Sequence, residues 1–217
     1  MIGFLDPFKA IIGLNILIYA TLAAHYTNEY VDVDTDSLTR RNWFSGRSGV
    51  LPSKIIPKLW ALISAVSLAL MCIIITSLSF YFGYLSSYGV LVASIGLIGG
   101  WFYSMPPLQL ERTSPGEIDN AILGGFLMPL IAYMPQIGSF HVREMIMLIP
   151  IVFAVFVNLL GVHWADRDAD VSVGKKTLVV SLGNRVKIVH AVFTGLIYGI
   201  SALLIFLVPL KLVFAIF

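Results

Sequence analysis

Charge is scarce in this chain. Asp, Glu, Lys and Arg make up only 12% of its 217 residues, too few to coat a soluble domain of that size. Cysteine is rarer still. The single Cys72 sits inside an apolar run, so it excludes an internal disulfide framework and reads as a small hydrophobe. No basic stretch precedes a short apolar core at the N-terminus, so no cleaved signal peptide is expected. Low-complexity segments and polar domains are missing as well. What fills the chain instead is apolar, at 58% of residues and a mean hydropathy of +0.90. Such a composition belongs to a protein whose solvent is lipid.

Several apolar segments reach the roughly 20 residues that cross a bilayer. The hydropathy pattern predicts an all-α transmembrane bundle of six spans, near 8–30, 57–82, 86–104, 117–137, 143–165 and 186–209, forming one domain over 1–217. Six spans put the connections 31–56, 105–116 and 166–185 on one side, and 83–85 and 138–142 on the other. The first side collects Arg40, Arg41, Arg47, Lys54, Lys58, Arg112, Arg167, Lys175, Lys176, Arg185 and Lys187. The second has Arg143, with Lys9 and Lys211 near the chain ends. Positive loops stay inside, so the long polar connections are expected to face the cytoplasm. The net charge of +2 sums this rim with a charge-poor interior and calls for no nucleic-acid partner.

The acids are few but ordered. Asn28, Asp32 and Asp36 stand at i, i+4 and i+8 where the first span ends, and Asp166 and Asp170 at i, i+4 where the fifth ends. On a helix each set shares one face. Carboxylates beside a bilayer are costly and need a reason to exist. Two opposed clusters of hard oxygen ligands suit Mg²⁺, which takes one or two carboxylates, keeps several waters and bridges to phosphate. Asp34 and Asp168 fall on other faces. Arg40, Arg41 and Arg47 follow the first set and match phosphate oxygens, while Gly46 and Gly49 permit a tight turn there. Lys175 and Lys176 follow the second set. A lone DxxxD would read more simply as a loop facing lipid headgroups; two sets on one side favour a membrane enzyme that holds a diphosphate.

With these residues in place, the chain resembles the UbiA-type intramembrane prenyltransferases. That family carries NxxxDxxxD in one cytoplasmic loop, matched by Asn28, Asp32 and Asp36, and DxxxD in another, matched by Asp166 and Asp170. The stretches YSMPPLQL and GKKTL look similar too. The resemblance implies a helical bundle around a central cavity, in which two Mg²⁺ ions hold an isoprenyl diphosphate. It implies transfer of the isoprenyl group to an aromatic acceptor through an allylic cation, in lipoquinone-type biosynthesis. The phrases NEYVD, FSGRSGVL and DRDAD look closest to the branch that prenylates 1,4-dihydroxy-2-naphthoate for menaquinone. Three departures stand out. Members usually have nine helices, against six here and a short apolar tail, LKLVFAIF, so a shortened or divergent member is expected. Where many members place a Lys four residues after the middle-loop Tyr, Tyr103 is followed by Pro107, so the expected diphosphate contact either passes to Arg112 or is lost. Glu29 stands where Asp is common.

Other residues carry weaker expectations. Tyr26, Tyr30, Trp101, Phe102 and above all Tyr103 could shield a cation with their ring faces, although Tyr and Trp belt any membrane protein. Asn158 in the fifth span is a candidate acceptor contact, and His163 either touches substrate or caps the span. His25 and Asn15 line a cavity or bond a neighbouring helix. Glu117 and Asp119 open the fourth span, where the helix dipole alone accounts for them. The competing class is a cation transporter or channel, which would put its acids near the midplane and interrupt its helices. A non-catalytic relic that binds prenyl diphosphates is a third reading.

Overall fold

The computed structural model describes residues 5–38 and 50–207. Helix α1 (Pro7–Val31) begins where Asp6 accepts from the amides of Phe8 and Lys9 at 2.9 and 3.2 Å, with Pro7 at its first position. One residue, Asp32, joins it to α2 (Val33–Leu38). The helical ladder continues across that joint: Asp32 N–H donates to the Asn28 carbonyl, and Asp36 N–H to the Asp32 carbonyl. After α3 (Leu59–Tyr81), Ser86 caps α4 (Ser87–Ser104) by accepting from Gly89 N–H at 3.2 Å. A 3₁₀ turn at Leu110–Arg112 leads to α5 (Gly116–Ile122), which passes through a π-helical turn at Leu123–Leu127 into α6 (Met128–Ile137). Then follow α7 (Val142–Met147), α8 (Ile149–Ser172), α9 (Leu178–Leu182) and α10 (Val186–Leu207).

Among the described residues six helical stretches are long and apolar enough to cross a membrane: Pro7–Val31, Leu59–Tyr81, Ser87–Ser104, Gly116–Ile137, Val142–Ser172 and Leu178–Leu207. They coincide with the six predicted spans, with one consequential difference. The fifth was expected to end at 165, yet α8 runs on to Ser172, so Asp166 and Asp170 stand on a helix and not in a loop. No Gly or Pro falls between Asp166 and Ser172; the stop is Gly174, whose φ of +72° follows the last turn. The apolar tail at 210–217 lies outside the described residues.

The surface is inverted relative to a water-soluble fold. Leu70, Ile73, Ile74 and Leu78 of α3, and Val192, Leu196 and Leu203 of α10, are all exposed. Inside, two clusters form. One joins α1, α3, α4 and α6 through Ile16, Cys72, Val92, Leu130 and Met134; the other joins α5, α8, α9 and α10 through Ala121, Phe156, Leu160 and Val179. Lipid offers helices little hydrophobic drive to associate, so close approach must supply the attraction. Glycine provides it: a Cβ on Gly100 would sit 2.9 Å from Ala24 Cβ, and one on Gly125 would sit 2.4 Å from the Val152 Cα. Cys72 behaves as the small hydrophobe it was read to be, buried with its Sγ 3.7 Å from the Ile16 carbonyl.

Candidate functional site

The two helical clusters meet around a cavity of about 920 Å³ at the end of the bundle where α1 and α8 finish. Its wall includes Asn28, Asp32 and Asp36 from one side and Asp166 and Asp170 from the other, so both acidic sets face the same space. Tyr103, His163 and Lys175 line it as well. A smaller cavity of about 180 Å³ shares His25, Asn28, Tyr103 and Asn120 with the first and extends among Leu17, Ala20, Leu127 and Ile131. A polar mouth thus adjoins an apolar recess.

The first acidic set is tied into a network. Asn28 Nδ2 donates to Asp32 Oδ2 at 3.1 Å and also to Glu111 Oε2. Ser104 Oγ donates to the same Glu111 oxygen at 2.8 Å. Lys175 Nζ donates to Asp32 Oδ1 at 3.0 Å and stands 4.0 Å from both Glu111 Oε1 and Asp170 Oδ1. Asp32, Glu111, Asp170 and Lys175 are all buried. Burial, followed by the nearby Asp32 charge, pushes the Glu111 carboxyl up to about 7, against the opposing pull of Lys175 and the Ser104 hydrogen bond. Of the cavity-lining carboxylates, Glu111 and Asp166 each keep a buried oxygen, Oε1 and Oδ1, with no hydrogen-bond partner among the described residues.

The donor chemistry of this wall suits a divalent metal ion. Among the described residues no three His, Cys, Asp or Glu side chains converge tightly enough to grip a cation unaided. Mg²⁺ needs less, because waters and a substrate phosphate usually complete its shell around one or two carboxylates. Carboxylates on opposite walls, with the unsatisfied Asp166 oxygen among them, fit that mode of binding.

The connections that close this end of the bundle are stitched to each other. Lys176 N–H donates to the Arg112 carbonyl at 2.8 Å, Arg112 Nη2 to the Val173 carbonyl at 3.1 Å, and Ser114 Oγ to the Lys176 carbonyl at 3.0 Å. Beneath the stitch lies Glu117, fully buried. Its Oε1 accepts from Leu178 N–H at 2.8 Å and Val179 N–H at 3.4 Å, and lies 3.0 Å from His163 Nδ1. Thr177 Oγ1 takes the next amide, Val180, at 3.3 Å. The first-turn amides of α9 are therefore met by one acid and one hydroxyl. The helix-dipole account of Glu117 is too small: the residue binds three groups on two other elements.

The sequence-derived candidates divide accordingly. Asn28, Asp32, Asp36, Asp166, Asp170, Tyr103 and Lys175 line the cavity, although Lys175 turns inward to Asp32. Arg112 does not line it, its guanidinium being spent on the Val173 carbonyl, and Lys176 is exposed. Asn158 is exposed on α8 and away from the cavity, against the expectation of a buried acceptor contact, because its helix turns that face outward. Arg40, Arg41, Arg47, Gly46 and Gly49 lie outside the described residues. Of the aromatics, Tyr26 and Tyr103 reach the cavity wall, joined by the unanticipated Trp60, whereas the ring of Tyr30 lies 5.5 Å from Lys58 Nζ. His25 and His163 both line the cavity. Glu111 escaped the sequence reading; its one signal was a charge placed just beyond YSMPPLQL, at a membrane exit.

Comparison with known proteins agrees with this architecture. The model of the UbiA prenyltransferase family matches residues 2–217. A protein named 1,4-dihydroxy-2-naphthoate octaprenyltransferase from Bacillus subtilis (strain 168) is 30% identical over 97 residues, which cover 43% of this chain and 31% of that one. A UbiA homolog from Archaeoglobus fulgidus, solved bound to DMAPP and Mg²⁺, superposes with a TM-score of 0.72 at 16% identity, over 93% of this chain and 67% of that one. The match to the Bacillus protein thus spans under a third of its length, and the likeness to the archaeal structure is one of fold.

Proposed function

This chain belongs to the UbiA prenyltransferase family, and on that premise we propose that it transfers an isoprenyl group from an isoprenyl diphosphate to an aromatic acceptor, dependent on Mg²⁺. The observation that carries the reading is that Asn28, Asp32, Asp36, Asp166 and Asp170, far apart in sequence, line one cavity. Asp32, Asp36, Asp166 and Asp170, with Asn28, are the residues that would hold the metal. Bound Mg²⁺ would supply positive charge against the leaving diphosphate. Lys175 adds a cation beside the same carboxylates, and Arg40, Arg41 and Arg47 are the further phosphate contacts that the sequence offers.

The chain's own part is to position, to exclude water and to leave a reactive cation undisturbed. The apolar recess among Leu17, Ala20, Leu127 and Ile131 suits an isoprenyl tail, which is as hydrophobic as lipid. Tyr103 lines both cavities and can offer its ring to the allylic cation where the two join. The ring carbon of the acceptor then forms the new bond and loses a proton or a carboxylate. The positive loops support a cytoplasmic orientation for the mouth. The name of the Bacillus relative and the phrases NEYVD and DRDAD favour 1,4-dihydroxy-2-naphthoate as acceptor, and so a place in menaquinone formation.

The test is a transfer assay in detergent or lipid with Mg²⁺, isoprenyl diphosphates of increasing length, and acceptors including 1,4-dihydroxy-2-naphthoate and 4-hydroxybenzoate. A Mg²⁺-dependent product, seen by mass spectrometry and absent with Asp32→Asn, is the expected result. No product with any pair, from protein that is folded and monodisperse, would overturn it.

A further inference from the structure

Lys175 occupies an unusual place for a lysine. Its ammonium is buried among three carboxylates, 3.0 Å from Asp32 Oδ1 and 4.0 Å from Glu111 Oε1 and Asp170 Oδ1. Asp32 and Asp170 are the same groups that the metal reading assigns to a divalent cation. Two cations held at one buried carboxylate oxygen repel each other, so a metal ion arriving at Asp32 Oδ1 drives the Lys175 ammonium away from it. A buried ammonium stripped of its partner is costly, and an exchange of this kind needs somewhere for the charge to go.

Glu111 supplies that place. Its Oε2 already accepts from Asn28 and Ser104, while its Oε1 is buried with no hydrogen-bond partner among the described residues, an arrangement that costs free energy until a donor reaches it. That idle oxygen faces Lys175 Nζ at 4.0 Å, so a shift of roughly 1 Å in the lysine tip closes it to an ordinary charged hydrogen bond. Asp170, equally distant, belongs to the opposite acidic set and is engaged by the metal in the same reading.

We propose that Lys175 is a built-in competitor for the metal-binding carboxylate Asp32, and that Glu111 is the positioning residue that receives the ammonium when a divalent cation takes its place. The proposal rests on the metal reading above. Metal uptake then proceeds as an exchange of cations at Asp32, and the lysine charge stays in the cavity, next to where a diphosphate would be held. Glu111 itself ligates no metal.

The test is Mn²⁺ binding to the full chain in detergent without substrate, read by electron paramagnetic resonance of the free ion. Lys175→Met removes the competitor and is expected to tighten Mn²⁺ binding on the order of tenfold, the equivalent of one charge-assisted hydrogen bond. Glu111→Gln removes the receiving charge and is expected to weaken binding several-fold. The combined variant is expected to bind as Lys175→Met alone does, because Glu111 has nothing left to receive. Unchanged or weaker binding by Lys175→Met overturns the competition. A Glu111→Gln effect that persists at full size without the lysine makes Glu111 a direct partner of the metal and overturns its assigned role. If Lys175→Met fails to give monodisperse protein, Lys175→Gln, which keeps a donor but not the charge, makes the same comparison. Wild-type protein that takes up no Mn²⁺ would overturn the metal reading itself, an outcome distinct from the others.

Discussion

The two acidic helix ends that face each other across the cavity share the i, i+4 spacing but are finished differently. At the end of α1, Asp32 is buried, bonded to Asn28 and Lys175, and coupled through Asn28 to Glu111 and Ser104. At the end of α8, Asp166 keeps a buried oxygen with no hydrogen-bond partner among the described residues, and Asp170 meets Lys175 at 4.0 Å. One wall is internally neutralised; the other presents its charge to the cavity. The difference follows from what each end abuts. The first lies against the connection that carries Glu111 and the segment that carries Lys175. The second is the continuation of a long helix that stops only at Gly174. A spacing motif therefore says where oxygens are presented, and the surrounding elements decide how available they are.

The sharpest test of that contrast is on turnover. Asp32→Asn and Asp166→Asn are each expected to cut Mg²⁺-dependent prenyl transfer by about a hundredfold or more, as for loss of one preorganised electrostatic group. If only one of them does, the two walls do not act as a pair. Next in size is Glu117→Ala, which strands the Leu178 and Val179 amides and the His163 ring. It is expected to cost about 3 kcal/mol, visible as a lower melting temperature in detergent. Glu117→Gln keeps an acceptor oxygen and should recover most of that loss.

A smaller effect separates the walls directly. Asp32→Asn leaves Lys175 short of its nearest charge and should destabilise the protein by about 1–2 kcal/mol. Asp166→Asn disturbs no hydrogen bond of the Oδ1 oxygen and should leave the melting temperature unchanged or slightly raised. Equal losses in the two would erase the distinction drawn here. The smallest effect is expected at Asn158, exposed and away from the cavity: Asn158→Leu should leave turnover unchanged and stability within about 0.5 kcal/mol.

Much of this architecture is legible in the sequence for a simple reason: in lipid, span length and apolar composition are physical requirements, and the six predicted spans match six helical stretches closely. The acidic spacing is legible as well, because it is local to each helix. What the sequence hides is tertiary. Nothing near Glu111 indicates that it meets Asn28 across 83 residues, or that Glu117 holds the amides of Leu178 and Val179. Lys175 was read as a phosphate contact because it follows Asp170, whereas its nearest partner is Asp32. Asn158 shows the converse: a polar residue inside a span suggests an inward contact, though α8 directs it outward.

The pairing of Asp32 with Lys175 also has a consequence in time. The two residues are 143 positions apart, so a ribosome adding ~5–20 residues per second completes the first long before the second. For roughly 7–30 s α1 rests in the bilayer with its acidic end formed and this ammonium not yet made. Five of the six spans among the described residues precede Lys175, so this part of the site is sealed only after those five have been made. A nascent protein halted after the fourth span would already carry the Asn28, Glu111 and Ser104 side of the cavity, yet lack both the opposite acids and the lysine that counters Asp32.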